Sequence, residues 1–123
     1  MALEIARPHV LLVEDETLVA MLLEDMLLDI SDYIVEVYAR LSDGIAAANT
    51  QAFAFAILDV NLDGLSSFPI ADILKVRGTP FLFSTGYGTA GLGPCYADTP
   101  TLQKPFRLAE LRAALAALLS PAA

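Results

Sequence analysis

The chain has no tryptophan, one cysteine and one histidine among 123 residues, and seven lysines and arginines against fifteen aspartates and glutamates. Each shortage removes a class of function. A lone thiol, Cys95, provides neither a disulfide framework nor a cysteine-based metal site; it reads as a loop thiol in a cytosolic protein. The lone histidine, His9, has no second ligand near it in sequence and is taken as structural. A formal charge of −8 argues against nucleic-acid binding, which needs clustered basic residues to neutralise phosphates. Hydrophobic residues make up 56% of the chain, yet no apolar run approaches the roughly 18 residues of a membrane span, so insertion into a membrane is not expected. Residues 1–7 lack the basic segment, long apolar stretch and small-residue cleavage site of a signal peptide. The length suits one domain, 1–123, with no room for a second catalytic domain, so any output is expected to pass through a partner.

What is present is a pair of short apolar runs that end abruptly in carboxylates. Residues 10–13 run into Glu14, Asp15 and Glu16, and residues 54–58 run into Asp59. Short, wholly apolar and bounded by polar residues, they read as buried parallel strands. Ligands of open α/β sheets sit outside the carboxyl ends of such strands. At least three acids are therefore expected at one mouth, and the usual reason to gather repelling carboxylates is a hard divalent cation held by oxygen ligands.

The rest of the chain alternates between strand-like and helical spacing. A helix is expected from Thr17, capped by Thr17 or Asp15, with Leu18, Met21, Leu22, Met26 and Leu28 recurring along it. Strands are expected at 34–38, 54–59, 80–84 and 101–103. Helices are expected at 43–49, opened by Ser42, at 68–77, with Pro69 in its first turn and Gly78 ending it, and at 107–120, with Leu108, Leu111, Leu115, Leu118 and Leu119 on one face. Between Gly86 and Pro100 the glycines and prolines break the periodicity, so a fourth helix is expected to be short or disordered. Five strands alternating with helices imply a doubly wound parallel sheet with helices on both faces.

Set on the strand ends, Glu14, Asp15, Asp59, Thr85 and Lys104 converge. Here the sequence resembles the receiver domain of bacterial two-component response regulators, from residue 8 to residue 119. The resemblance is carried by Val-Glu-Asp-Glu at 13–16, Leu-Asp-Val-Asn-Leu-Asp-Gly at 58–64, Ser-Thr-Gly-Tyr at 84–87 and Lys-Pro-Phe at 104–106. It implies a flavodoxin-like sheet of strand order 2-1-3-4-5. It also implies a stand-alone phosphoacceptor that takes a phosphoryl group from a sensor histidine kinase or phosphotransfer protein and signals through protein contacts. Asp59 would be the nucleophile. Asp15, Asp59, the Asn61 main-chain carbonyl and, through water, Glu14 would hold Mg²⁺. Lys104, the Thr85 hydroxyl and the Val60 and Gly86 amides would engage the phosphoryl oxygens. Such a domain catalyses only its own phosphorylation and dephosphorylation. The Lys104–Pro105 peptide is expected to be cis.

The pattern also departs from the family's commonest form. Thr101 stands where most receivers place a switch aromatic on the last strand, which points to a subgroup marked by Phe83-Ser84-Thr85-Gly86-Tyr87 and often served by kinases of the HWE type. Tyr87 and Thr101 then belong to the switch region, with Asn61 and Tyr87 tuning the lifetime of the phosphoryl group. Rival readings fit less well. The segment from Asp59 imitates an EF-hand loop, but its twelfth position is Ile70 in place of Glu. A haloacid-dehalogenase-type phosphatase would want an acid at Asn61 and room for a cap. A receiver-like adaptor that is never phosphorylated would not need Asp15, Asp59, Thr85 and Lys104 together.

Overall fold

The computed structural model describes residues 7–86 and 92–120. Its elements run β1 (His9–Val13), α1 (Thr17–Ile30), β2 (Ile34–Tyr38), α2 (Leu41–Thr50), β3 (Phe55–Asp59), β4 (Asn61–Leu62), β5 (Leu65–Ser66), α3 (Phe68–Arg77), β6 (Phe81–Thr85), α4 (Gly93–Tyr96), β7 (Thr101–Gln103) and α5 (Leu108–Leu119). Five strands form a parallel sheet in the order β2-β1-β3-β6-β7, the flavodoxin-like order expected once the small β4–β5 pair is set aside.

Strands β1 and β3 lie inside the sheet with both faces covered, which is why they are apolar throughout instead of alternating. Alternation still decides which helix each side chain meets. Leu11, Val13, Ala56, Leu58 and Phe83 pack on α2, α3 and the Leu92–Tyr96 turn, whereas Leu12, Ile57, Leu82 and Leu102 pack on α1 and α5. Helix α2 approaches α3 so closely that a Cβ on Gly44 would lie 2.6 Å from Ile70 Cδ1. The Arg77 guanidinium donates to the Ala48 carbonyl at 2.6 Å and ties the same two helices.

Several expectations are corrected. Helix α1 buries Ala20, Leu23 and Leu27, while Leu18, Met21, Leu22 and Leu28 are exposed. Its N-cap is Glu16 with no capping side chain of its own; Glu14 Oε2 accepts the Glu16 N–H at 3.1 Å. Helix α2 starts at Leu41, ahead of Ser42, because Leu41 packs on the core. On α5 only Leu111 and Leu115 are buried, Leu118 is half-buried, and Leu119 faces solvent. Helix α3 is as expected, from Phe68 to Arg77 with Gly78 in the left-handed region. The hairpin of β4 and β5 was not anticipated. Its two-residue turn, Asp63-Gly64, has φ of 52° and 88°, the type I′ geometry that Asp-Gly favours.

Within 86–100, α4 is a single turn, and buried Leu92 and Tyr96 anchor it. Tyr96 packs edge-on against Phe81 and Phe83 and beside Phe68. Thr101 is the register partner of Phe83, one of the rings that Tyr96 packs against. Tyr87 lies outside the described residues. Among the described residues no helix is long and apolar enough to cross a membrane.

Candidate functional site

Leu12, Ile57, Leu82 and Leu102 all face α1 and α5. Two residues further along the same strands stand Glu14, Asp59, Ser84 and Lys104, which alternation places on that face at the carboxyl edge. Glu14 and Lys104 lie just past their strands, but their amides continue the ladder, donating to the Tyr38 and Thr85 carbonyls at 3.0 and 2.8 Å. The four form a row across β1, β3, β6 and β7. Lys104 Nζ reaches back over β6 to Asp59 Oδ2 at 3.2 Å and Glu14 Oε1 at 2.8 Å. The Lys104–Pro105 peptide that leads into α5 is cis.

Asp15 completes the acidic set. Its Oδ2 accepts the Asp63 amide at 3.0 Å, which joins the β1–α1 corner to the hairpin turn. Oxygens of Glu14, Asp15 and Asp59 lie within 4.8 Å of one another. Asn61 Oδ1 accepts the Gly64 amide at 2.7 Å and braces the turn beneath the cleft. The open cleft, of about 400 Å³, is lined by Asp15, Asp59, Asn61, Gly86 and Lys104 among others. Thr85 is buried at the end of β6, and Gly86 is exposed beside it.

One expected role is reassigned by the backbone. The Val60 amide donates to the Ser84 carbonyl at 3.1 Å and so continues the sheet, which occupies the donor expected to face a phosphoryl group. The next amide, Asn61, turns toward the nucleophile instead and donates to Asp59 Oδ1 at 3.3 Å. Residues outside the site are equally clear. His9 pairs with Glu36 at 2.9 Å, and Cys95 is an exposed free thiol.

Burial raises the Glu14 carboxyl to about 7; hydrogen bonding to Lys104 opposes the rise, and the neighbouring Asp59 adds to it. Burial alone would lower Lys104, but the Glu14 and Asp59 carboxylates outweigh it and hold the ammonium above its usual pKa. The site therefore keeps a fixed positive charge between two acids, one of which is easily protonated. A divalent cation fits this donor set, because it would offset the repulsion that Asp59 adds to the effect of burial on Glu14.

Residues 10–116 match the model of the response regulator receiver domain. The chain belongs to that family. SdrG from Sphingomonas melonis Fr1 is 39% identical, with a TM-score of 0.82 over 93% of this chain and 98% of SdrG. The BeF3-activated conformation of SdrG, given as from Pseudomonas melonis Fr1, is 38% identical, with a TM-score of 0.77 over 91% of this chain and 96% of that one. The receiver domain of the sensor histidine kinase PA1611 from Pseudomonas aeruginosa PAO1, solved with magnesium coordinated in its active-site cleft, is 25% identical, with a TM-score of 0.80 over 93% of this chain and 98% of that one. No curated protein matches the chain. Receiver domains act as phosphoacceptors in two-component signalling and exchange phosphoryl groups with histidine kinases or phosphotransfer proteins.

Proposed function

We propose that this receiver is a stand-alone relay that accepts a phosphoryl group on Asp59 in a Mg²⁺-dependent reaction, from a histidine kinase of the HWE type or a phosphotransfer protein. The observation that carries the reading is the double ion pair of Lys104 with Asp59 and Glu14, set among three carboxylates within 4.8 Å. Phosphoryl transfer asks for positioning and charge neutralisation more than for covalent help. Asp59 supplies the attacking oxygen, the Asn61 amide fixes the carboxylate, and Lys104 moves its charge onto the incoming phosphoryl oxygens. The Thr85 hydroxyl and Gly86 amide are the further donors at the mouth. Glu14, Asp15, Asp59 and the Asn61 carbonyl would hold Mg²⁺, which supplies positive charge to the phosphoryl oxygens when bound.

The donor must lay a histidine against Asp59. Beside Lys104 runs a groove of about 380 Å³ lined by Glu16, Val19, Leu22, Pro105 and Phe106, and Leu18 and Met21 are exposed on the same helix. An apolar helix face of the donor is the occupant that this surface fits, because it would bring the histidine to the adjoining cleft. Incubation with acetyl phosphate, with and without Mg²⁺, followed by intact mass is the test. One phosphoryl adduct is expected, dependent on Mg²⁺ and lost in Asp59→Asn; an adduct that survives Asp59→Asn would overturn the assignment.

A further inference from the structure

Three members of the row across the carboxyl edge, Glu14, Asp59 and Lys104, hold one another. The fourth does not join them. Ser84 is 1% exposed, and its hydroxyl has no hydrogen-bond partner among the described residues. A buried hydroxyl left unpaired costs stability that an alanine of nearly the same size would not. Ser84 is also the register partner of Asp59 on the adjacent strand, roughly 4.8 Å away, and alternation points both side chains to the same face. The Lys104 side chain crosses β6 above it to reach Asp59.

We propose that the Ser84 hydroxyl is the donor that receives the Asp59 carboxylate when a phosphoryl group leaves it. The proposal rests on the reading of Asp59 as phosphoacceptor. In the unmodified protein Asp59 Oδ2 is taken by Lys104 and Oδ1 by the Asn61 amide. Once a phosphoryl group is attached, Lys104 is drawn to its oxygens and the carboxyl group loses that donor. The neighbouring hydroxyl needs only to turn about its own side-chain bond to replace it.

In hydrolysis the water oxygen bonds to phosphorus while the bond from phosphorus to the Asp59 oxygen breaks. Its electron pair stays on the carboxylate. Both water protons leave with inorganic phosphate, one as the new hydroxyl and one on a phosphate oxygen. Negative charge therefore grows on the Asp59 carboxyl in the transition state, and a donor already aimed at it acts when the charge appears.

The test is the decay of the Asp59 adduct, made with acetyl phosphate and Mg²⁺, in wild type and Ser84→Ala. The variant is expected to fold with an unchanged or higher melting temperature and to lose phosphate roughly three- to tenfold more slowly. Isotope-edited infrared spectra should show the acyl-phosphate carbonyl stretch at higher frequency in Ser84→Ala, a signature that altered packing alone would not produce. Equal or faster decay in the variant, or slower decay with an unmoved carbonyl band, would overturn the proposal while leaving Asp59 as phosphoacceptor. Failure of the wild-type protein to form any adduct would overturn both readings.

Discussion

The hydroxyl of Tyr96 donates a hydrogen bond to Oδ1 of Asp72 and so ties the single turn of α4 to α3. Burial of the phenol, reinforced by Asp72, pushes its pKa above the usual value, so it remains a donor throughout the physiological range. Lys75 Nζ adds a cation over the same ring, 5.8 Å from its centre. Tyr96→Phe keeps the ring in the Phe68, Phe81 and Phe83 cluster and removes only the hydrogen bond. It is expected to cost about 1 kcal/mol, whereas Tyr96→Ala is expected to cost about 3 kcal/mol or more. Urea unfolding would read both, and a Phe variant as damaging as the Ala variant would show that the hydroxyl has a larger role.

Removing Lys104 would strand two buried carboxylates. Lys104→Met is expected to cost about 3 kcal/mol in metal-free protein, because the charge it leaves on Glu14 and Asp59 is uncompensated. Adding Glu14→Gln should recover a large part of that loss. A double-mutant cycle by denaturant unfolding checks this, with additive losses as the contrary result.

Stability should depend on pH through Glu14. The unfolded chain gives up this proton near pH 4.5 and the folded protein only near 7, so between those values the folded state binds more proton. The contribution is fully present below pH 4.5 and is lost as pH rises through 7. Lys104, held above 10.5, stays charged over the whole window. Metal-free wild type compared with Glu14→Gln in thermal melts from pH 4.5 to 8 isolates the effect, and identical pH profiles would contradict it.

Mg²⁺ should raise the melting temperature, and its affinity should increase as pH rises through 7 because Glu14 must ionise beside the ion. Asp15→Asn is expected to abolish the Mg²⁺-dependent shift while changing metal-free stability little or raising it. Melts across a Mg²⁺ titration at pH 6 and pH 8 are the measurement.

Gly64→Ala probes the hairpin turn alone. A Cβ there meets nothing within 4 Å, but φ is 88°, so the expected loss of about 1 kcal/mol is backbone strain without a clash. A loss of Mg²⁺ affinity should accompany it, because the turn holds Asp15 through the Asp63 amide.

The sheet and the acid cluster were legible because both arise from one pattern, apolar runs that stop at carboxylates. The buried face of α1 was not. Ten of its fourteen residues are apolar, so periodicity selects no face, and contact with the sheet decides for Ala20, Leu23 and Leu27. The Val60 amide was misassigned because which way a peptide turns after a strand depends on the register with β6, which residue types do not reveal. Tyr96 gave no signal, being one aromatic in a stretch of glycine and proline. The hairpin does carry one: Asp63-Gly64 flanked by Leu62 and Leu65 is the short-range sign of a type I′ turn.

Leu18, Met21 and Leu22 leave α1 with a greasy ridge that water wets poorly, on a molecule carrying a formal charge of −8. Like-charge repulsion keeps two such ridges from meeting in dilute buffer, but it reaches only about 8 Å at physiological ionic strength and about 3 Å in molar salt. The colloidal behaviour of the free protein should therefore run opposite to that of a charge-paired complex: concentrated salt, or acid approaching the point of zero charge, would favour clumping, and a bound partner that covers the ridge would restore solubility.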